Sequence, residues 1–245
     1  MFRVFLILAV VAAALALVPG PAAAQAPKPG EITSSVPAFD AMHDVIMPMW
    51  HEAWPNKDYK ALAAFVPAID THVAAIAKAE LPGILREKAT AWKAGVATLT
   101  ASAAAYKAAA TSGNNEALLK AAEKLHKDYE DLGKVVRPIL KEMDEFHGAL
   151  YTLYHYQLNP FQIAKVTESA QALTVKMDAL NKAVLPDRLK AKTDAFTAQR
   201  AALATSVDAV SASLATRDEA RIKVAVEAMH GAYENLEKLF QQLPR

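Results

Sequence analysis

The stretch EKLHKDYEDL, Glu123 to Leu132, recurs later in the chain as EAMHGAYENL, Glu227 to Leu236. Both copies keep Glu, His, Tyr and Glu at the same spacing, while half of the ten positions change. The apolar residues of each copy follow one another at intervals of four and three residues, which is typical of one face of an α-helix. The stretch therefore predicts a helix that the chain uses twice.

The duplication extends over most of the chain. When the chain is shifted by 104 residues, residues 38–136 align with residues 142–240 without a gap, and 25 of the 99 pairs are identical. Leu81, for example, aligns with Leu185. A constant period of this kind indicates an internal duplication. We call residues 38–136 the first repeat and residues 142–240 the second repeat.

Both repeats have the composition of helical proteins. They are rich in Ala, Leu, Lys and Glu, and Pro, Gly and Asn residues divide each repeat into four amphipathic segments. The predicted helices cover residues 37–54, 56–80, 83–111, 114–136, 140–158, 160–184, 187–215 and 218–241. Short connections between long helices favour antiparallel neighbours. The sequence therefore predicts an all-α protein of two tandem up-down-up-down four-helix bundles, residues 37–137 and 138–245.

The first 24 residues predict a secretory signal peptide. Arg3 precedes an apolar run from Val4 to Val18, and Ala22 to Ala24 form a small-residue cleavage site. Residues 25–36 are rich in Pro, Gly and Ser and are expected to form a flexible leader. We therefore expect a periplasmic or secreted protein that has no membrane segment after cleavage.

The composition excludes several kinds of partner and site. The chain has no cysteine, which rules out disulfides and thiolate ligands. Its 27 basic residues balance 26 acidic residues, so no electrostatic surface for nucleic acid or for an anionic membrane is expected. The chain has no glycine-rich phosphate loop, no G-x-S-x-G motif and no H-E-x-x-H motif, and we therefore predict that it is not an enzyme.

The His, Asp and Glu residues that both repeats share lie on the first and last predicted helix of each repeat. These two helices are adjacent and antiparallel in an up-down-up-down bundle, so their side chains can meet. Asp-x-x-His on the first helix and His-x-x-x-Glu on the last each project from one helix face. The candidate metal ligands are Asp40, His43, His126 and Glu130 in the first repeat, and Asp144, His147, His230 and Glu234 in the second.

A different register between the two helices would change this set. A shift by one turn brings His51 towards Glu123 and places His126 opposite Met47. The further candidates, as alternative ligands or as groups that hydrogen-bond a ligand, are His51, Glu123, Tyr129, His155, Glu227 and Tyr233.

Two imidazoles and two carboxylates form a donor set suited to zinc, copper(II), iron or nickel. The sequence therefore predicts an exported metal-binding protein, a carrier, buffer or sensor, with one ion between the first and fourth helix of each bundle. The alternative is a structural or interaction protein with an extracytoplasmic protein as partner. In that case His and Glu form hydrogen-bonded ladders between the helices.

The predicted architecture resembles the periplasmic cytochromes that are single four-helix bundles. In those proteins a His near the end of the last helix ligates haem iron, and the resemblance implies non-covalent haem held by His126 and Met47. Covalent attachment through C-x-x-C-H is excluded because the chain has no cysteine. Tyr151 replaces the Met in the second repeat, so an axial pair common to both repeats is not expected.

Overall fold

The structure, a computed structural model, describes residues 26–241. Within this range it has nine α-helices and no strand, which confirms the predicted all-α class. The α-helices are α1 Pro37–Pro48, α2 Tyr59–Ala64, α3 Val66–Lys78, α4 Ala89–Thr111, α5 Asn115–Val136, α6 Lys141–Thr152, α7 Ile163–Lys182, α8 Thr193–Leu214 and α9 Glu219–Gln241. No helix in this range is long and apolar enough to cross a membrane. The predicted signal peptide lies outside the described residues.

The N-terminus of the last helix is capped by an equivalent side chain in each repeat. Asn114 accepts a hydrogen bond from the backbone N–H of Ala117 at the start of α5 (3.0 Å). Asp218 accepts the corresponding bond from Arg221 at the start of α9 (3.1 Å). Such caps satisfy backbone donors that the first turn of a helix leaves without a partner. The two caps lie 104 residues apart, at the spacing of the repeat.

Four irregular helical turns also recur at this spacing. A π-helical turn, Met49–Ala53, continues α1, and a second one, Leu153–Gln157, continues α6. A 3-10 turn, Gly83–Lys88, precedes α4, and another, Asp187–Lys192, precedes α8. The sequence predicts uninterrupted helices at these places, because periodicity does not distinguish a widened or tightened turn from an α-helix.

The second helix of the first repeat is divided. The sequence predicts one helix over residues 56–80, whereas the structure has α2 and α3 with Phe65 between them. Pro67 lies in the first turn of α3, where the missing N–H costs no hydrogen bond. In the second repeat α7 is a single helix, as predicted.

The buried apolar residues form two clusters that follow the repeats. The first cluster extends along the chain from Val36 to Val136, and the second extends from Met143 to Phe240. Tyr151 belongs to the second repeat but packs in the first cluster. The two repeats therefore meet around Tyr151.

Residues 28–36, which the sequence assigns to a flexible leader, lie against this junction. The Glu31 carboxylate accepts hydrogen bonds from the hydroxyls of Tyr151 (2.8 Å) and Tyr156 (2.6 Å). The Glu31 backbone oxygen accepts another from the N–H of Ile84 (2.9 Å). These contacts hold the segment in place, although its composition alone is typical of a flexible chain.

Side chains of the 3-10 turn Gly83–Lys88 reach the second repeat. Lys88 Nζ lies 2.9 Å from Glu237 Oε1 in α9. Arg86 Nη1 lies 3.4 Å from His155 Nδ1 in the second π turn. The first repeat thus contributes one wall to the space beside α6 and α9.

Candidate metal site

The histidine of the last helix lies face to face with an aromatic ring in both repeats. His126 stacks on Trp50 with ring centres 4.2 Å apart. His230 stacks on Tyr154, also with ring centres 4.2 Å apart. Trp50 and Tyr154 belong to the two π turns and are aligned by the repeat. Each π turn therefore positions a ring against the histidine of the last helix.

The tyrosines that follow these histidines bond the backbone of the first helix. Tyr129 donates a hydrogen bond to the backbone oxygen of Phe39 (3.2 Å). Tyr233 donates the equivalent bond to the backbone oxygen of Met143 (3.4 Å). These bonds join the first and last helix of each repeat, and neither hydroxyl donates to a candidate carboxylate.

Two contacts between the first and last helix of the first repeat point to different registers. Tyr129 lies at Phe39, which fits the register that pairs His126 with His43. The His126 ring lies at Trp50, which is closer to the alternative register with His126 opposite Met47. The ligand set of the first repeat therefore stays a prediction.

Most of the other candidates of the first repeat are exposed. Asp40 is exposed and accepts a hydrogen bond from the hydroxyl of Ser35 (2.8 Å). His51 and Glu123 are exposed, and His43 is half-buried. Among residues 26–241 no three of these side chains are already arranged to hold a metal ion, and the four ligands of the first repeat therefore stay a prediction.

His126 itself is half-buried. Burial lowers its pKa, the Glu130 carboxylate acts in the opposite direction, and His51 lowers it further. Met47, which would complete an axial pair with His126 around haem, is 42% exposed. His126 and Met47 are therefore not enclosed together in one buried site.

The second repeat places three of its four candidates around one cavity. His147, His230 and Glu234 line a cavity of about 220 Å³, together with Glu87 and Glu237. His230 Nδ1 lies 3.6 Å from Glu234 Oε1. This cavity combines two imidazoles, three carboxylates and the ammonium groups of Lys88 and Lys238.

Two further candidates of the second repeat bond residues away from this cavity. Asp144 accepts a hydrogen bond from the hydroxyl of Ser34 and lines a larger neighbouring cavity. Glu227 accepts a hydrogen bond from the hydroxyl of Tyr154 (2.7 Å), which raises the pKa of Tyr154 to about 12. Neither carboxylate lines the smaller cavity.

His155 lies close to the cluster but has a cation beside it. Its ring centre is 6.5 Å from that of His230. Because Arg86 is a permanent donor at His155 Nδ1, the neutral His155 ring carries its proton on Nε2. His155 could ligate a metal only after Arg86 moves away.

Burial keeps two imidazoles of the second repeat neutral. It lowers the pKa of His147 to about 3, and Lys88, His230 and His155 act in the same direction. It lowers the pKa of His155 to about 4, again with help from a neighbouring cation, Arg86. The neutral form is the form in which imidazole ligates a metal ion.

No group of three or more His, Asp and Glu side chains between residues 26 and 241 is already arranged to hold one metal ion. The donors of the smaller cavity surround a space and do not converge on one point. Zinc ligands lie about 2.0–2.2 Å from the ion. The side chains would therefore have to rotate inward when an ion binds.

Comparison of the two repeats does not identify Glu87 and Glu237. These residues align with Ala191 and Gly133, so neither carboxylate recurs. Glu237 lines the cavity from α9, beside Glu234, whereas Glu87 reaches it from the first repeat. A comparison of the repeats cannot detect a site that forms between them.

No protein-family model matches the chain, and no curated protein or solved structure matches it. The function must therefore be inferred from the helices and the cavities themselves.

Proposed function

We propose that this is an exported, non-catalytic protein of two tandem four-helix bundles that binds one divalent transition metal ion in the second repeat. The caps, π turns and 3-10 turns that recur at 104 residues support the tandem arrangement. The N-terminal sequence supports export. The protein would serve as a metal carrier, buffer or sensor.

The observation that carries the metal proposal is the smaller cavity with two imidazoles and three carboxylates around it. Of these carboxylates, Glu237 and Glu234 are paired with Lys88 and Lys238, and Glu87 makes no ion pair in the part of the chain that the structure describes. Nitrogen and oxygen donors of these kinds bind zinc, and they also suit copper(II), nickel and iron(II). A water molecule in the liquid takes up about 30 Å³. The cavity, about 220 Å³ in volume, therefore has room for an ion that keeps some of its water.

The contacts around the cavity assign a role to each donor. Glu234 lies on the Nδ1 side of His230, which leaves Nε2 of His230 free to bind the ion. A carboxylate in this position orients an imidazole and increases its basicity. Glu237 is already paired with Lys88. His147 and His230 are therefore the proposed nitrogen ligands, and Glu87 is the proposed oxygen ligand.

We expect one ion per chain and not two. The 3-10 turn of the first repeat brings Glu87 to the second repeat, whereas the corresponding turn of the second repeat has Ala191 at that position. In the first repeat the candidates Asp40, His51 and Glu123 are exposed. The two repeats therefore offer different surroundings to a metal ion.

Isothermal titration of metal-free protein with zinc, copper(II), nickel and iron(II) tests the proposal. At least one of these ions should bind at one site per chain, with a dissociation constant below about 1 mM. His230→Ala should abolish this binding, whereas His126→Ala, the aligned change in the first repeat, should leave it unchanged. Failure of all four ions to bind, or an equal loss in both variants, would refute the proposal.

A structural role for the histidines is the second candidate, and the stacked rings favour it. His126 on Trp50 and His230 on Tyr154 connect the last helix with the π turn in both repeats. Stacked ring pairs contribute about 0.5–1.5 kcal/mol to stability. If no metal binds and both His→Ala variants lower the melting temperature of metal-free protein equally, this role explains why the histidines recur.

A further inference from the structure

The larger cavity, about 640 Å³ in volume, lies where the two repeats meet. Its walls come from the 3-10 turn Gly83–Lys88, the end of α5, α6 and α9. Ser34 of the N-terminal segment also lines it. Small-molecule sites in proteins typically have volumes of about 300–1,000 Å³. The cavity is therefore large enough for a small organic ligand.

Part of the lining is apolar. Leu85, Met143 and Phe240 are buried and face this cavity together with Val135 and Ile139. An apolar group that enters the cavity would be removed from water by these side chains. A ligand of this site should therefore have an apolar part.

Four of the charged lining residues form two ion pairs. Lys88 Nζ lies 2.9 Å from Glu237 Oε1. Lys134 Nζ lies 2.7 Å from Asp131 Oδ1. These four side chains do not require a charged ligand.

Three other charged lining residues, Glu87, Arg137 and Asp144, make no ion pair with any part of the chain that the structure describes. The Arg137 guanidinium lies 5.2 Å from the centre of the Phe39 ring. Asp144 accepts a hydrogen bond from the neutral hydroxyl of Ser34. One cation and two carboxylates thus line the same cavity without an ion-pair partner, so a ligand with both an anionic and a cationic group fits the lining.

We propose that this cavity binds a small zwitterion of the amino-acid type that has an apolar side chain. Arg137 binds the ligand's carboxylate, for which the planar guanidinium is well suited. Asp144 binds the ligand's ammonium group, and Met143 and Phe240 contact its apolar side chain. Arg137 and Asp144 line only the larger cavity, whereas the proposed metal ligands Glu87 and His147 line both cavities, so metal-free protein is used to test this site.

Three probe molecules test separately whether the site binds the carboxylate and the ammonium group of its ligand. Metal-free protein is titrated by calorimetry with phenylalanine, with phenethylamine, which lacks the carboxylate, and with 3-phenylpropionate, which lacks the ammonium group. We expect one phenylalanine per chain and binding of each analogue that is weaker by about tenfold or more. If phenylalanine does not bind, or if either analogue binds as tightly, the proposal is overturned.

Protein variants test whether phenylalanine binds in the larger cavity. Arg137→Ala should weaken phenylalanine binding by about tenfold and leave phenethylamine binding unchanged. Arg188→Ala, which removes an exposed arginine away from the cavity, is the matched control. Ala91→Trp places a large side chain in the lining and should remove phenylalanine binding without a change in circular dichroism. An Arg137→Ala effect no larger than that of Arg188→Ala would overturn the proposal, as would full binding by a folded Ala91→Trp protein.

Discussion

Histidines that align between the repeats have different surroundings. His51 is exposed, whereas its counterpart His155 lies beside a guanidinium group. His43 is half-buried on α1, whereas its counterpart His147 stacks on Tyr233 with ring centres 4.6 Å apart and lines both cavities. The junction between the repeats thus gives the second set of histidines a more enclosed environment than the first.

The enclosed position of His147 should make stability depend on pH. Its pKa is lowered from 6.5 to about 3 by burial, so the side chain is neutral in folded and unfolded chains above pH 6.5. Below that pH the unfolded chain binds a proton that the folded protein does not bind. The free energy of unfolding should therefore fall as the pH decreases towards 3, by up to about 1.4 kcal/mol per pH unit for this group.

Urea unfolding of metal-free protein at several values between pH 7 and pH 5 measures this dependence, in a window above the ordinary pKa range of carboxyl groups, about 4. His147→Gln, which cannot titrate, is the control and should show a clearly smaller slope than the wild type. Equal slopes for the two proteins would show that His147 is not kept neutral by the fold.

Among the structural elements, the N-terminal segment and the two helix caps lead to specific predictions about the free energy of unfolding. Glu31→Ala removes the acceptor for the hydroxyls of Tyr151 and Tyr156. We expect a loss of about 1–3 kcal/mol in the free energy of unfolding, because the partly buried hydroxyls lose a charged partner. Urea unfolding measures this change.

Glu116→Ala is the matched control for this change. It removes a carboxylate that pairs with Lys120 on the exposed surface of α5. Fully exposed pairs of this kind contribute little to stability, because water screens them. If both variants lose equally little stability, the N-terminal segment is not anchored by Glu31.

Removal of the helix cap should destabilise the two repeats equally. Asn114→Ala and Asp218→Ala each remove the acceptor for one backbone N–H in the first turn of α5 or α9. Each change should lower the free energy of unfolding by about 1 kcal/mol, and the double variant should lose about the sum. Chemical denaturation of the three variants tests this expectation, and a clear loss in only one repeat would argue against equivalent caps.

For the whole molecule, the sequence predicts the helical class and the extent of most helices, because apolar periodicity and breaker residues act locally. It does not predict the division at Phe65 or the π turns, which depend on how side chains pack between helices. Three of the four candidates in the second repeat line one cavity, whereas Glu87 could not be identified because Ala191 replaces it in the other copy. Contacts between the repeats have no counterpart within a repeat, so a comparison of the two copies cannot find them.

We propose that one metal ion binds in the second repeat, beside the junction, and that none binds between α1 and α5. Anomalous diffraction at the zinc edge from crystals of zinc-loaded protein tests the number and the place of the ions in one measurement. We predict a single anomalous peak in the cavity between His147, His230 and Glu87. A peak between α1 and α5, an equal peak in each repeat, or no peak at this cavity would contradict the account.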